Sequence, residues 1–582
     1  MIEYKVVTRI EDLPQFSNEY PIFCDIETHG LYIGVRLIQY YQPEISPIVW
    51  ILDVDYWGEN KIPMLKALGK DPKEHIVLPE QVKEFHSNLH LVFWNGTYDQ
   101  STLKFGSKEV DDLWYMTKIA LPKMEEFGLN YITDKLFPNE DFYQGLDKKK
   151  LQKAGFKPGP LGEDQLRYSA TDVYVMKLIW DKVAPKVKDK MVYTINKLNL
   201  HYAVRWQQTG LKVHQPRRTA KESDLNIELE QVTQELPEDL NVNSYIQVRK
   251  AINHDKSDEE ALLRLASNGC PYSLNILKKR GILKQLNFLQ TYNRDRVYSH
   301  YNPMGTRTGR WSAKAGDRPD AANLQQLPRK LKDVFGFEDN DDRIFVGADL
   351  PTAELRLASA IYEDHTMYKA FKERIDLHKL TASNTLGCKP EEVTGDQRKK
   401  AKAENFGLLY GMKADKFIQY AFTNYGIVLD KEEAEYRRDK WMGLYSGISN
   451  KIQEITRRFY KEELIVFTPL GLPVKPKLYT DALNIPIQGA VAEISKLWIH
   501  FMWKEHNKGI SDANKQSLPI GNFVHDSITV ETTTAEADYW KELLIYSCDK
   551  AWSEYNKLPM MKLKDIPMPL DVGISKLYGG AS

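Results

Sequence analysis

The sequence has little of what marks a secreted, disulfide-bonded or membrane protein. Its 582 residues include only four cysteines, which stand singly with no CxxC pair. This spacing argues against a disulfide framework and against a cysteine-based zinc site. The amino-terminal stretch MIEYKVVTRIEDLP is mixed and polar, unlike a signal peptide. No run of about 18 apolar residues occurs, so no membrane span is expected.

The chain also lacks net charge, because 80 Lys and Arg residues balance 80 Asp and Glu residues. Overall charge therefore gives no sign of a polyanionic partner, and any basic groove must come from a local excess of cations. Neither an internal repeat nor a long low-complexity segment is present. The length allows about three to five domains, and the 42% of hydrophobic residues suits a globular protein with sizeable cores.

The apolar pattern changes along the chain. Residues 1–190 alternate strand-like runs, such as YPIFCDIE and LHLVFW, with helical stretches, which predicts an α/β domain. Residues 190–300 become helical and charged. Beyond residue 300 follow turn-rich segments, the strand RIFVGADL, long helices, and a hairpin-like pair of strands in NFVHDSITVE.

A first set of acidic residues lies in three segments of the α/β region. Asp25 and Glu27 are two apart on a predicted strand, so they share one face of it. Asp99 follows the strand LVFW, and Tyr168 and Asp172 are one helical turn apart. Each piece alone fits a solvated acid or a packed tyrosine. Together, the four carboxylates suit a pair of divalent ions that activates water and stabilises a leaving oxygen.

A second set consists of two aspartates in apolar strands. Asp349 ends RIFVGAD, and Asp526 lies at the centre of the strand pair in NFVHDSITVE. An exposed strand end, or a hydrogen-bonded structural aspartate, would explain each one alone, because an unpartnered buried charge is costly. Two aspartates on separate β elements can instead share two Mg²⁺ ions, as phosphoryl transfer requires.

Between the two aspartates, four side chains recur at intervals of four residues: Arg398, Lys402, Phe406 and Tyr410. On a helix this spacing gives one broad face. Cations bind phosphates and rings stack on sugar and base, so this face suits a nucleotide. A basic solvated helix face is the alternative. The aromatic continuation, with Gly407 and Gly411 leaving room for close approach, weighs against it.

The segments resemble two known groups of enzymes. The order DxE, NxxYD, YxxxD is similar to that of the DEDD exonuclease superfamily, tyrosine subtype. DLPTAELRLAS, RKKAKAENFGLLYG and VHDS resemble motifs A, B and C of family A DNA polymerases, the group typified by bacterial DNA polymerase I. GTRTGRWSA, DLHKLTAS and LNIPIQGAVAEISK resemble further segments of that family, and the resemblance covers nearly the whole chain.

This resemblance implies an α/β, RNase H-like exonuclease domain followed by a right-hand polymerase domain with an α+β palm and a helical thumb and fingers. The implied domains are the exonuclease (1–190), the thumb (191–300), the first part of the palm with motif A (301–364), the fingers with motif B (365–479), and the second part of the palm with motif C (480–582).

The resemblance also assigns roles to individual residues. The exonuclease metals would be held by Asp25, Glu27, Asp99 and Asp172, with Tyr168 orienting the attacking water. The polymerase metals would be held by Asp349, Asp526 and the backbone carbonyl of Leu350. The incoming triphosphate would meet Arg398, Lys402 and His378. Phe406 would pack on the sugar, Tyr410 would guard the template-base position, and Glu354 would reject a 2′-hydroxyl. The primer terminus would be contacted by Arg310, Asn484, Gln488 and His525.

Three positions depart from the family pattern. Ser527 stands where motif C usually has Glu, TPLGLP lacks the Arg of a TxxGR element, and the thumb begins with Gln207-Gln208 instead of an acidic residue. No 5′-nuclease segment is expected before the exonuclease motifs. This compactness is typical of phage replicative enzymes, so a phage origin is expected.

The expected function is template-directed addition of deoxynucleotides to a primer 3′ end by two-metal phosphoryl transfer, with 3′→5′ proofreading and no 5′ nuclease. The expected cofactor is Mg²⁺, two ions per active site, with Mn²⁺ as a substitute. The expected partners are primer–template DNA, dNTPs and replisome factors (a helicase, a single-strand binding protein and a processivity factor), with no membrane. A monomer in the cytoplasm of a bacterial host is expected.

Three alternatives stay open at the level of sequence. A nucleic-acid-binding protein with a degenerate polymerase fold would have no need of Asp349, Asp526 and the basic-aromatic helix. An exonuclease with a carboxyl-terminal binding platform would have no need of motifs A to C. A single-subunit RNA polymerase shares the palm chemistry, but Glu354 and the exonuclease acids argue against it.

Overall fold

The computed structural model describes residues 2–28, 35–54, 66–67, 69, 79–103, 109–147, 150–151, 155–157, 159–267, 269–315, 320–511 and 514–581. The chain divides into two compact units. The first comprises Met1–Arg205 with Tyr301–Met304, and the second comprises Trp206–His300 with Gly305–Ser582. Among the described residues, no helix is both long and apolar enough to cross a membrane.

The strands of the described residues are, in chain order, β1 (Tyr4–Val7), β2 (Ile22–Thr28), β3 (Val35–Tyr41), β4 (Val49–Asp53), β5 (His90–Phe93), β6 (Glu109–Asp112), β7 (Leu211–Lys212), β8 (Arg296–Val297), β9 (His300–Asn302), β10 (Ser312–Lys314), β11 (Arg343–Asp349), β12 (Val466–Phe467), β13 (Pro473–Val474), β14 (Ile520–Val524), β15 (Ser527–Thr533) and β16 (Asp571–Ser575).

The α-helices of the described residues are α1 (Pro79–His86), α2 (Thr97–Leu103), α3 (Leu113–Ala120), α4 (Leu129–Leu136), α5 (Glu163–Val187), α6 (Met191–Trp206), α7 (Gln215–Gln234), α8 (Tyr245–Ile252), α9 (Glu259–Ser267), α10 (Ser273–Thr291), α11 (Ala353–Ile361), α12 (His365–Lys372), α13 (Leu377–Leu386), α14 (Gly395–Leu408), α15 (Ala414–Tyr425), α16 (Lys431–Leu444), α17 (Ser446–Phe459), α18 (Tyr479–His506) and α19 (Ala537–Tyr555).

The first unit is built on a six-stranded sheet of order β1-β4-β3-β2-β5-β6. Strand β2 pairs antiparallel with β3 and parallel with β5. Its side chains alternate between the two faces of the sheet. Cys24 and Ile26 therefore enter the hydrophobic core, and Asp25 and Glu27 share the other face. Helix α5 packs against β2, β3 and β4, so the sheet and this helix position the first set of acids.

The second unit contains a four-stranded antiparallel sheet of order β14-β15-β11-β16. The predicted hairpin in NFVHDSITVE is confirmed, with β14 and β15 as its strands. Asp526, predicted at the centre of the strand pair, lies with His525 in the two-residue turn that joins the two strands. His525 has a φ of 56°, in the left-handed region that most side chains avoid. The turn therefore holds Asp526 at the end of the sheet, beside β11.

Helices form most of the remaining second unit. The pair α7 and α10 lies in the region predicted to be helical, and its long helices pack on each other. Helices α13, α14 and α16 form a second packed group. The 28-residue helix α18 packs along α19 and carries Pro486 within it. These helices bring motif B and the segment LNIPIQGAVAEISK into the unit that also contains Asp349 and Asp526.

Candidate active sites

The first set of acids converges in the first unit. Carboxylate oxygens of Asp25, Glu27 and Asp172 all lie within 4.8 Å of one another. Strand β2 supplies Asp25 and Glu27, and helix α5 supplies Asp172. Asp99 lies in α2 and is buried, 7% exposed. The structure therefore brings Asp25, Glu27 and Asp172 together, and the charge of Asp99 acts on both Asp25 and Glu27.

Burial and mutual repulsion make these carboxylates hard to ionise. Burial, followed by the charges of Asp99 and Asp172, raises the pKa of Asp25 well above its usual value. The pKa of Glu27 is raised in the same way by burial and by the other three acids. Burial raises the pKa of Asp99 to about 7. A cluster of this kind gains stability from any cation that binds among the oxygens.

Two tyrosines line the same cluster. Tyr168 is buried in α5 one helical turn before Asp172, as predicted. Tyr143, which the sequence did not indicate, donates a hydrogen bond from Oη to Asp172 Oδ1 (2.5 Å). The two phenol rings lie 6.3 Å apart between centroids. Tyr143 comes from an irregular segment, so neither helical nor strand periodicity could have pointed to it.

The turn that leads into α2 is fixed by backbone contacts. Gly96 donates its backbone N–H to Asp112 Oδ2 (2.9 Å), and Asn95 has a φ of 56°. A Cβ on Gly96 would lie 2.5 Å from the Cβ of Phe93, so only glycine fits there. Asn95 Oδ1 accepts a hydrogen bond from Asn302 Nδ2 (3.0 Å). This turn holds Asp99 close to β2.

In the second unit, Asp349 is the last residue of β11 and lies between the two neighbouring strands of the sheet. In the sheet it pairs with Ser527 of β15 on one side and with Asp571 of β16 on the other. Residues paired directly across antiparallel strands point to the same face. Burial and the charge of Asp571 raise the pKa of Asp349, whereas Lys332 lowers it. Asp571 therefore brings a carboxylate to the site where Ser527 lacks one.

Asp526 is the second predicted ligand of this site. Burial and then the charge of Asp349 raise its pKa to about 7. Its pKa is further raised by Glu354 and lowered by Arg310. The two aspartates are therefore close enough to repel each other, as the shared-metal prediction requires.

Glu354 connects several of the predicted residues. It lies in the first turn of α11, and its carboxylate accepts hydrogen bonds from Arg310 and from the Tyr410 hydroxyl. Burial and the Glu354 charge raise the pKa of Tyr410. Arg310, Glu354 and Tyr410 are thus joined by hydrogen bonds through the Glu354 carboxylate. The motifs alone did not indicate this connection.

Helix α14 departs from the prediction in two ways. It ends at Leu408, so Tyr410 lies in the following turn and not on the helix face. The room at Gly407 is used by neighbouring rings: a Cβ there would lie 2.9 Å from Tyr420 and 3.1 Å from Phe417. Gly411 has a φ of 74°, so its backbone conformation accounts for that glycine.

The two cations of the helix differ in their surroundings. Arg398 Nε bonds Asp376 Oδ2 at 2.8 Å, and its side chain is 42% exposed. Within the described part of the chain, exposed Lys402 makes no salt bridge. Burial and the Arg398 charge lower the pKa of His378 to about 4. Its ring centroid lies 6.1 Å from that of Phe406, so the predicted triphosphate and sugar contacts share one region.

The remaining predicted residues lie on three elements of the second unit. Leu350 is buried directly after β11. Asn484 and Gln488 are one turn apart and half-buried on α18. Among the described residues, the buried Asn484 Oδ1 has no hydrogen-bond partner. His525 lies in the hairpin turn, where burial lowers its pKa. Their predicted roles with DNA stay predictions.

Comparison with known proteins finds DNA polymerase I of several bacteria among the relatives of this chain. DNA polymerase I of Aquifex aeolicus is 32% identical over 311 residues, which cover 52% of this chain and 50% of that protein. DNA polymerase I of Streptococcus pneumoniae serotype 4 is 24% identical over 564 residues, covering 88% of this chain and 60% of that protein. The chain thus spans about half to three fifths of these curated relatives.

A solved structure shows the same fold. The POL domain of Pol1 from M. smegmatis, in complex with DNA primer-template and dNTP, superposes with a TM-score of 0.71 and 16% sequence identity. The match covers 96% of this chain and 95% of that chain, so the predicted fold class is confirmed. The family model for DNA polymerase family A matches residues 202–579, well over half of the sequence. The chain therefore belongs to DNA polymerase family A, as its motifs predict.

Proposed function

We propose that this protein is a template-directed DNA polymerase whose first unit is a 3′→5′ proofreading exonuclease. One observation carries the proposal: each of the two units contains its own acidic cluster, in a chain of DNA polymerase family A. The solved M. smegmatis neighbour was bound to DNA primer-template and dNTP. We assign the same two classes of ligand to this chain.

The donor sets fit divalent metal ions. In the first unit, three carboxylates converge within 4.8 Å, and burial followed by repulsion from the neighbouring acids raises the pKa values of Asp25 and Glu27. In the second unit, Asp349 and Asp526 repel each other in the same way. Such oxygen-only sets suit hard ions such as Mg²⁺, with Mn²⁺ as a substitute. When bound, the ions would supply charge neutralisation and activation of the attacking oxygen.

In the exonuclease, Asp25, Glu27, Asp99 and Asp172 would hold the metals. Tyr168 would orient the attacking water by hydrogen bonding. Tyr143 would keep Asp172 in place through its 2.5 Å hydrogen bond. Because the phenol donates to the carboxylate, it favours the ionised form of Asp172, which is the form that binds a cation.

In the polymerase, Asp349, Asp526 and the Leu350 carbonyl would hold the metals. Arg398 and Lys402 would bind the triphosphate by charge, and Phe406 would pack on the sugar. Glu354, held by Arg310 and Tyr410, would fill the space of a 2′-hydroxyl and so select deoxynucleotides. Arg310, Asn484, Gln488 and His525 would contact the primer terminus and its minor groove.

Several finer assignments belong to the same proposal. These are the bounds of the five predicted domains, the tyrosine subtype of the exonuclease, and a role in replicating a phage genome in a bacterial host. Replisome factors as partners and a monomeric state also stay predictions. The geometry of the two acidic clusters and the membership in family A support the proposed chemistry.

Primer extension with a matched and a mismatched 3′ end tests the proposal. With dNTPs and Mg²⁺, Asp349→Ala is expected to abolish extension and to keep excision of the mismatch. The double variant Asp25→Ala with Glu27→Ala is expected to extend primers and to lose excision. Asp189→Ala, an exposed aspartate outside both clusters, is the matched control and should keep both activities.

The outcomes separate the alternatives. Wild-type protein that excises but never extends would be an exonuclease with a binding platform. Protein that binds primer–template DNA with neither activity would have a degenerate polymerase fold. If either folded variant lost both activities together, the assignment of two separate sites would be wrong.

A further inference from the structure

A buried side-chain network surrounds Asn405, which none of the sequence assignments used. Asn405 is fully buried in α14. Its Nδ2 lies 2.9 Å from His378 Nδ1, and its Oδ1 lies 2.8 Å from Trp441 Nε1. The Thr381 hydroxyl also lies 2.9 Å from Oδ1 and 2.8 Å from the Tyr445 hydroxyl. Three helices, α13, α14 and α16, thus meet at one amide.

The network fixes which way the amide of Asn405 points. An indole N–H can only donate a hydrogen bond. The atom of Asn405 that faces Trp441 Nε1 must therefore be the oxygen. The NH₂ group then faces His378, and it can only donate. His378 Nδ1 must accept this bond, so it carries no proton.

This arrangement decides the protonation state of His378. With Nδ1 as the acceptor, the neutral ring carries its proton on Nε2. An imidazolium ring would place an N–H at Nδ1 against the N–H of Asn405, which is two donors face to face. Asn405 therefore disfavours the charged ring and aims a single donor, Nε2–H, away from itself.

We propose that Asn405 is a positioning residue that holds His378 as the neutral Nε2–H tautomer, so that His378 donates a directional hydrogen bond to a phosphate oxygen of the incoming nucleotide. This inference rests on the proposed nucleotide-binding role of His378. The positive charge for the triphosphate would come from Arg398 and Lys402, and His378 would contribute geometry without charge.

The charged groups near His378 agree with this division of roles. Arg398 and Lys402 of α14 both disfavour a positive ring, and Asp376, which precedes α13, favours it. Asp376 is itself bonded to Arg398. From α16, Arg437 is paired with Glu404 and Glu433, and Glu433 is also paired with Lys400, so that two cations offset two carboxylates. His378 should therefore stay neutral between pH 5.5 and 8. Nucleotide binding should then show no pH dependence that comes from this ring.

The variant Asn405→Asp should reverse the preference of this site from the neutral to the charged ring of His378. One carboxylate oxygen can still accept from Trp441, and the other now accepts from a protonated Nδ1, which stabilises imidazolium. The KM for dNTP of the variant, divided by that of wild type at each pH, should rise with pH by roughly five- to tenfold as His378 loses its charge. Taking the ratio cancels the ionisation of dNTP itself.

Two further variants make the kinetic test specific. Adding His378→Gln to Asn405→Asp should remove the pH dependence of the KM ratio. Asn424→Asp, the same change at an exposed site in the second unit, should leave the ratio flat. A flat ratio in folded Asn405→Asp, or a slope that survives in the double variant, would overturn the proposal.

A direct measurement on wild type covers the case in which the buried aspartate prevents folding. The protein has 13 histidines, so ¹⁵N-histidine spectra of wild type and His378→Gln are compared to assign His378. Its signals should show an unprotonated Nδ1 and a protonated Nε2 from pH 8 down to 5.5. A protonated Nδ1 would contradict the inference. Failure of the proposed function would appear differently, as wild-type protein that never extends a primer at any pH.

Discussion

At the scale of single residues, hydrogen-bond partners decide how a buried acid behaves. The adjacent residues Asp111 and Asp112 are both buried in the first unit. Burial would raise the pKa of Asp111, but His90, Lys197 and the Tyr193 hydroxyl outweigh it and lower the pKa to about 2. Asp112 is bonded by backbone N–H groups, which do not offset its burial, and its pKa rises to about 7.

The low pKa of Asp111 predicts a stability that depends on pH. Because the folded pKa lies below the unfolded one, ionised Asp111 stabilises the fold above about pH 4, and this contribution is lost as pH falls through about 2. Asp111→Asn should therefore cost roughly 2 kcal/mol near neutral pH. Urea unfolding at pH 7, 4 and 3 should show the gap to wild type narrowing toward low pH.

The matched control is Glu109→Gln. Glu109 contacts the same lysine, Lys197, at 3.5 Å, but its side chain is 55% exposed. An exposed ion pair is worth at most about 1 kcal/mol. A loss for Glu109→Gln as large as that for Asp111→Asn would show that Lys197, and not burial of the aspartate, governs the effect.

Tyr143 gives a second prediction at this scale. Tyr143→Phe removes the donor to Asp172 and keeps the ring. A hydrogen bond to a charged group contributes about 1.5–3 kcal/mol, so mismatch excision should slow by roughly 10- to 100-fold. Primer extension should be unchanged, because Asp349 and Asp526 belong to the other unit. Tyr20→Phe, at a 43% exposed tyrosine, should alter neither rate. Equal excision rates for Tyr143→Phe and wild type would exclude the role.

Sequence reasoning reached the residues that regular spacing reveals and missed those that only the fold brings near. Asp25 with Glu27, and Tyr168 with Asp172, are separated by strand and helix periods, so their shared faces could be predicted. Tyr143 and Asp571 have no such relation to the acids they approach. Strand pairing places Asp571 beside Asp349 across 222 positions of sequence, which no local pattern can report.

At the scale of elements, the fit between α14 and α15 depends on Gly407. The sequence suggested that this glycine leaves room for a nucleotide, but the structure fills the space with Tyr420 and Phe417. The spacing of Arg398 to Tyr410 predicted a helix correctly up to Leu408. It could not show where the helix ends, because tertiary contacts and the left-handed Gly411 determine the turn.

Gly407→Ala is therefore expected to destabilise the second unit. The new Cβ would come within 2.9 Å of Tyr420, and separating the two helices should cost about 1–3 kcal/mol. Gly443→Ala is the control: that helical position in α16 has nothing within 4 Å, so alanine should stabilise it by up to about 1 kcal/mol. Thermal unfolding measures both. A Gly407→Ala protein as stable as wild type would show that the rings move aside freely.

At the scale of the whole molecule, the acidic clusters belong to different units, so their responses to metal should be separable. Repulsion among Asp25, Glu27 and Asp172 opposes folding of the first unit when no cation is bound. A bound ion reverses this effect. Since ligand binding adds RT ln(1 + [L]/Kd), a tenfold excess of Mg²⁺ over its Kd should add about 1.4 kcal/mol.

Wild type and a variant with a neutralised cluster should therefore exchange their order of thermal stability when Mg²⁺ is added. In EDTA at pH 8, Asp25→Asn with Glu27→Gln should unfold at a higher temperature than wild type, because two like charges are gone. In Mg²⁺ the wild type should gain stability and the variant should not. Hydrogen–deuterium exchange in the α5 peptide, residues 163–187, localises the effect to the first unit. Asp349→Asn, which leaves that unit intact, should keep the Mg²⁺ protection of α5. Loss of that protection in Asp349→Asn, or its persistence in the double variant, would mean that the ion binds elsewhere.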